Sequence, residues 1–224
     1  MQVKEMDVCA SGAVLNVSGS STAADLRIRN GATVNLNGSA GTALTSLTLN
    51  SGNLNLLTPE GSIPERAYNL RLASLTVAGN SVLEGNLVMA AGSTMHFAED
   101  AVLTMGCSVS IGVGSSLEID NYDPFRSYVL FKDVETLVLG NYVVTEEGVY
   151  DVSGLLTGIN GVTNIANNLY GIDYHDGVVT FVQNNLAGFS MMALPPAAFV
   201  PEPATASLSL LALAALAARR KRKA

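Results

Sequence analysis

The side chains that could do chemistry in this chain are a few carboxylates and two histidines. General acid–base work needs two carboxylates, or a carboxylate and a base, converging on one substrate. Glu99-Asp100 is the first pair. Adjacent residues of a strand point to opposite faces, so these two would not cooperate there. Glu118, Asp120 and Asp123 form the second grouping. Glu118 and Asp120 share a face at i and i+2, and Asp123 follows a turn. The trio is the grouping nearest to a metal site, one for calcium, but it reads more simply as the solvated end of a coil. His175-Asp176-Gly177 sets a base beside an acid with no Ser or Cys nucleophile motif nearby, so it reads as a turn before a strand. His96, between Met95 and Phe97, falls on the polar side of a strand. No phosphate loop, dinucleotide fingerprint or zinc motif occurs. Cys9 and Cys107 lie far apart and fit no metal-ligand spacing. A disulfide between them is permitted outside the cytosol, though nothing in the sequence positions it. Cys9 is no lipoprotein anchor, because Met1–Val8 holds no apolar run. The expectation is a noncatalytic chain with no catalytic residues, no cofactor and no assigned metal.

The elements that would hold these residues show a period. Leu26–Leu36, Leu47–Leu56, Leu75–Leu83, Leu87–Phe97 and Val109–Ile119 each alternate apolar and polar residues, turn through Gly or Asn, and alternate again. Period-two alternation means a strand with one buried face. Turn glycines fall at positions 31, 52, 79, 92 and 114. Steps of about twenty residues are one coil of a solenoid, the longer step a coil with an inserted loop, and the short one a half-coil. Asn-Gly and Ser-Gly corners supply the positive φ of a tight bend. Stacked coils would let Asn, Ser and Thr form ladders. The expected fold is therefore all-β: a right-handed parallel β-helix, with a meander or sandwich as the alternative. Five or six coils at ~4.8 Å each would give a rod of roughly 25–30 Å.

Thr58–Arg66 interrupts the pattern with two prolines and reads as a surface loop. After Asp120 the strands become denser and carry most of the aromatics. The expected organisation is solenoid repeats over 1–120, a β-rich cap over 121–187, a linker over 188–200 around Pro195-Pro196, and a tail over 201–224. The repeats are already under way at Leu15, and Gln2–Asp7 lacks a secretory layout. The expectation is therefore a true start upstream, or a fragment.

Composition agrees. Charged residues make up 14% of the chain and hydrophobic residues 48%, with no Trp, so the polar surface must come from Ser, Thr, Asn and Gly. Net charge is −7, and five of the twelve basic residues sit together in Arg219–Lys223. The rest of the chain is strongly acidic and would repel phosphate backbones, which excludes nucleic acid as a partner. Too few Lys and Arg remain upstream to line the cleft of a lyase acting on acidic sugars.

The tail has three parts in order. Pro201-Glu202-Pro203 comes first, then the uncharged, Leu- and Ala-rich run 204–218, then Arg219, Arg220, Lys221, Arg222 and Lys223. The run reads as a short hydrophobic helix that seeks the lipid bilayer. Fifteen residues span about 22 Å, short of a ~30 Å hydrocarbon core. The basic cluster would snorkel and hold the terminus on the cytoplasmic side. A plain membrane anchor after a proline linker would show the same topology.

This three-part order resembles the PEP-CTERM sorting signal of Gram-negative envelope proteins. The wording of Val200–Ala214 is similar to tails of Verrucomicrobia surface proteins. The resemblance covers about 25 residues and implies recognition by an exosortase, cleavage near Pro-Glu-Pro, and release or transfer to the surface. It implies inner-membrane anchoring before processing and an outer-membrane, surface or extracellular location afterwards. The same tail is sometimes labelled an ice-binding protein C-terminal domain; that label describes the tail and implies nothing about the body. In texture the body resembles autotransporter passenger repeats, which implies structural or adhesive work against extracellular glycan or matrix. Two alternatives are a carbohydrate-active β-helix enzyme (polysaccharide lyase or glycosidase) and a nonfunctional fragment of a larger passenger. The enzyme reading requires two or more of Glu99, Glu118, Asp120 and Asp123 to meet in a cleft.

Overall fold

The computed structural model describes residues 2–18, 22–37, 44–57, 69–163, 165, 169–184 and 191–199. The tail 201–224, with its expected helix, and the Thr58–Arg66 loop lie outside the described residues. Among the described residues no helix is long and apolar enough to cross a membrane.

The fold is all-β, with two ten-stranded sheets and no closed barrel. Successive strands go to the two sheets in turn. The first sheet takes β1 (Gln2–Val8), β3 (Thr22–Arg29), β5 (Ser46–Asn50), β7 (Asn69–Val77) and β9 (Asn86–Phe97). Onto β9 pair both β11 (Ser108–Ile111) and β12 (Ser115–Ile119). The second sheet takes β2 (Val14–Ser18), β4 (Thr33–Asn37), β6 (Asn53–Leu57), β8 (Ser81–Glu84) and β10 (Leu103–Met105). All pairings among these strands are parallel.

Register explains why the sequence alternates. Leu26, Leu47, Leu75, Met95, Leu117 and Ile159 are Cα partners in one row, and all are buried. Two residues on, Ile28, Leu49, Val77, Phe97 and Ile119 form a second buried row. Between them Arg27, Thr48, Thr76, His96 and Glu118 face outward. A one-residue slip would put every leucine in water, so the pattern fixes the register. On the second sheet Asn55 Nδ2 donates to Asn35 Oδ1 at 2.8 Å, and Asn35 Nδ2 to Asn16 Oδ1 at 2.6 Å. The sequence separations along this amide ladder are 20 and 19 residues.

Four of the five expected turns differ from expectation, two in where they lead and two in backbone conformation. Gly92 and Gly114 do not lead from one sheet to the other. Gly92 lies inside the twelve-residue β9, at the register shift between the Leu72–Met89 and Ser74–Thr94 pairs. Gly114 lies between β11 and β12, which both pair with β9. Alternation continues through both bends, so the sequence pattern does not separate a kinked strand from a corner. Gly52 and Gly79 also differ, since neither takes a positive φ; at the first corner it is Ser51 that does, at 54°. Their role is clearance. A Cβ on Gly52 would sit 2.7 Å from Ile28 O, and one on Gly79 2.9 Å from Asn50 Oδ1.

Past residue 120 the parallel stack continues in β13 (Tyr128–Lys132) on β10 and β14 (Thr136–Leu139) on β11. Pairing then turns antiparallel. β15 (Tyr142–Val143) folds back on β14, and β16 (Gly148–Asp151), β18 (Tyr170–His175) and β19 (Val178–Gln183) extend the second sheet from β13. β17 (Leu156–Ile159) pairs with β12. Asp176 and Gly177, with φ of 47° and 74°, form the expected turn between β18 and β19. The stretch expected to be a linker carries β20 (Met192–Ala193), parallel to β16, and a 3-10 turn, Pro196–Phe199.

Candidate functional site

A cleft among the described residues lies at the ends of β9 and β12, beside β13. It has a volume of about 230 Å³. Its lining includes Phe97, Asp100, Ile119, Arg126, Tyr128 and Lys132. Phe97 and Ile119 are the last residues of β9 and β12 and neighbours in the second buried row, so the core fixes the strand ends there. Phe97 meets Phe131 edge-on at 5.4 Å between centroids.

Arg126 organises the charge. Its guanidinium bonds Glu99 Oε1 at 2.9 Å and also pairs with Asp100. It lies 5.4 Å from the centre of the Tyr128 ring. Asn121 Nδ2 donates to Glu99 Oε2 at 3.1 Å. Tyr122 donates from its hydroxyl to Gln183 Oε1 at 2.5 Å. Burial, reinforced by Tyr170, Tyr128 and Asp123, holds the Tyr122 phenol well above its ordinary range.

The carboxylates read from sequence separate here. Asp120 Oδ1 lies 2.8 Å from His96 Nε2. Asp123 Oδ1 accepts from the Phe125 amide at 2.9 Å. Glu118 stands exposed on β12 beside His96 in register. Among the described residues no group of three His, Cys, Asp or Glu could hold a metal ion. None of Glu99, Glu118, Asp120 and Asp123 lines the cleft; Asp100 does. Sequence reasoning missed Arg126, whose partners lie 26 and 27 residues away and are set by strand pairing.

A second charged cluster sits on the cap. His175 Nδ1 lies 3.2 Å from Glu147 Oε2, and His175 Nε2 3.2 Å from Asp173 Oδ1. Asp176 N donates to Glu147 Oε1 at 3.0 Å. This backbone bond, then His175, holds the Glu147 carboxyl below its ordinary range. Cys9 and Cys107 are free thiols, one exposed and one half-buried. Burial first, then Glu135 and Glu84, push the Cys107 thiol up, which disfavours the nucleophilic thiolate.

The tail residues Pro201, Glu202, Pro203 and Arg219–Lys223 lie outside the described residues. There the comparison with known families is informative. The model of the PEP-CTERM protein-sorting motif matches residues 199–223. The motif implies an exported protein, sorted to the cell envelope or surface by an exosortase-type enzyme. No curated protein and no solved structure matches the chain.

Proposed function

We propose that this chain is a noncatalytic surface protein whose body is a parallel β-solenoid closed by a β-rich cap. Its tail anchors it transiently in the inner membrane until an exosortase-type enzyme processes it near Pro201–Pro203. The observation that carries this reading is the sorting motif at 199–223, on a chain whose first half is built of stacked parallel strands. The apolar run 204–218 and the terminal arginines and lysines are suited to hold the chain with its body outside. Structural or adhesive work is supported by the outward rows of hydroxyl and amide side chains. Ser116 Oγ donates to Thr94 Oγ1 at 3.2 Å, for example. Such rows offer glycan or matrix evenly spaced hydrogen-bonding groups. The noncatalytic reading is supported by how the acidic side chains are used. Glu99, Asp100 and Asp120 are tied to Arg126 or His96, and Asp123 caps a turn.

Fractionation of the native host, with the intact mass of the C-terminus, tests the proposal. A surface product ending near Pro201–Ala204 is expected. A product that keeps Arg219–Lys223 in the inner membrane would reduce the tail to a plain anchor. The whole chain found soluble in the cytoplasm would overturn the proposal.

A further inference from the structure

The segment just before the sorting motif is docked onto the cap. β20 adds to β16 in parallel, with Tyr150 opposite Met192 and Asp151 opposite Ala193. Leu194 and Ala198 are buried, at 6% and 1% exposure. The Asn141 amide donates to Ala198 O at 3.1 Å. Phe199 packs against the core. Four glycines make room for this strap. A Cβ on Gly140 would collide with Ala198 O. One on Gly148 would sit 2.5 Å from Met192 Cε, one on Gly154 2.9 Å from Phe199 Cε1, and one on Gly171 3.1 Å from Met191 Cε. The motif match itself begins at residue 199.

We infer that residues 191–199 are an autoinhibitory strap, which must leave the cap before the processing enzyme can act on Pro201–Pro203. Five Cα–Cα steps lead from Phe199 to Ala204, where the apolar run begins. Fully extended they reach at most about 18 Å, so a docked strap holds the folded body against the start of the membrane segment. An enzyme that cleaves a peptide bond reads extended backbone on both sides of it. Here the residues preceding the motif are coiled into a 3-10 turn, with the Ala198 carbonyl already bonded. Undocking of Pro196–Phe199 frees both the length and the backbone groups. Gly140, Gly148 and Gly154 then act as positioning residues for processing, although none touches the motif.

The inference rests on the tail being a processed sorting signal, and the test separates the two. The full chain, with Cys9→Ser, receives the pair Asp151→Cys and Ala193→Cys. Register partners on parallel strands stand about 4.8 Å apart, within disulfide reach. Processing is followed in native-host membranes by C-terminal mass, with and without dithiothreitol. Oxidised protein is expected to lose at least about tenfold in processing rate and to recover on reduction, while each single substitution behaves as wild type. Ala198→Asp, which expels the strap, is expected to be processed at least as fast as wild type. Equal rates for locked and free protein, with Pro201→Ala still blocking processing, would overturn the strap and leave the sorting signal standing. No processing of wild type would overturn both. Hydrogen exchange of the Asn141 amide in the purified full chain gives a second readout. Exchange as fast as in Ala198→Asp would show that the strap is not docked, and would overturn the inference whatever the processing rate.

Discussion

Tyr122 and Gln183 show how single side chains hold β19 to the segment that follows β12. Gln183 is buried at 7% exposure, and the Tyr122 hydroxyl is its donor. Tyr122→Phe leaves that buried acceptor without it, a loss of about 1–2 kcal/mol readable by chemical denaturation at pH 7. The sign of the pH effect follows from the raised phenol. Its stabilisation is complete below the ordinary value of 10.0 and declines as pH rises towards the folded value, because the unfolded phenol ionises first. The gap between wild type and Tyr122→Phe is therefore expected to narrow above about pH 10; a gap constant from pH 8 to 11 would refute it. Glu147 works in the opposite direction. Its carboxyl is held low by the Asp176 amide and His175, so its contribution is present above the ordinary value of 4.5 and fades as pH falls through the lower folded value. The Glu147 side-chain carbon, followed by NMR, should titrate below those of unpaired glutamates, and His175→Ala, which removes the second of its two partners, should shift it upward.

At the scale of strands and corners, the glycines fall into two physical kinds. Gly31 has φ +74° and nothing within 4 Å of an added Cβ, so Gly31→Asn, which tolerates that conformation, should cost under about 0.5 kcal/mol. Gly52 has ordinary φ, but its Cβ would press into the backbone of Ile28 in the coil below. Gly52→Asn should cost about 2 kcal/mol or more. Thermal midpoints of the two variants decide it, and equal losses would mean that both glycines serve conformation alone. The amide ladder makes a parallel case. Asn35→Ala removes the bonds to both Asn16 and Asn55 and should cost about 1–2 kcal/mol. Strand alternation, the buried rows and the Asn ladder were legible in the sequence because each needs only period two and a near-constant step. The bends at Gly92 and Gly114 were not, because alternation does not say which sheet a strand joins. Arg126 and its acidic partners were hidden for a related reason: the meeting depends on where whole coils stack. The docking of 191–199 was illegible because its contacts are long-range fits of Met192, Ala198 and Phe199 into spaces left by glycines, and they leave no periodic trace. The tail was the reverse case. Its three-part order is local, so sequence alone carried it.

Across the whole molecule, the two ends of the stack are built differently. At the far end β15, β16, β18 and β19 turn the pairing antiparallel, and β20 adds parallel to β16. At the near end β1 and β2 each pair on one side only among the described residues. In the inward row of the second sheet Leu15 is only partly buried there, whereas its row partners Val34 and Leu54 are fully buried. In a stack of this kind each layer is stabilised chiefly by its neighbours, so a layer with one neighbour lacks an interface that an inner layer has. Local opening should then follow position in the stack rather than strand length. β1 is longer than β5, yet it is the one expected to exchange first. The cross-coil pairs Arg27–Glu5 and Arg29–Asp7 that tie β1 down are solvent-exposed, and such pairs contribute little. Hydrogen exchange by mass spectrometry should therefore show protection lowest in β1 and β2, rising through β3 and β4, and highest from β5 to β13. Because the exposed ion pairs are screened by salt, raising ionic strength should speed exchange in β1 while leaving β5 to β9 unchanged. Uniform protection from β1 to β13 would mean that the stack opens as one cooperative unit, and neighbour-limited stability would not describe this protein.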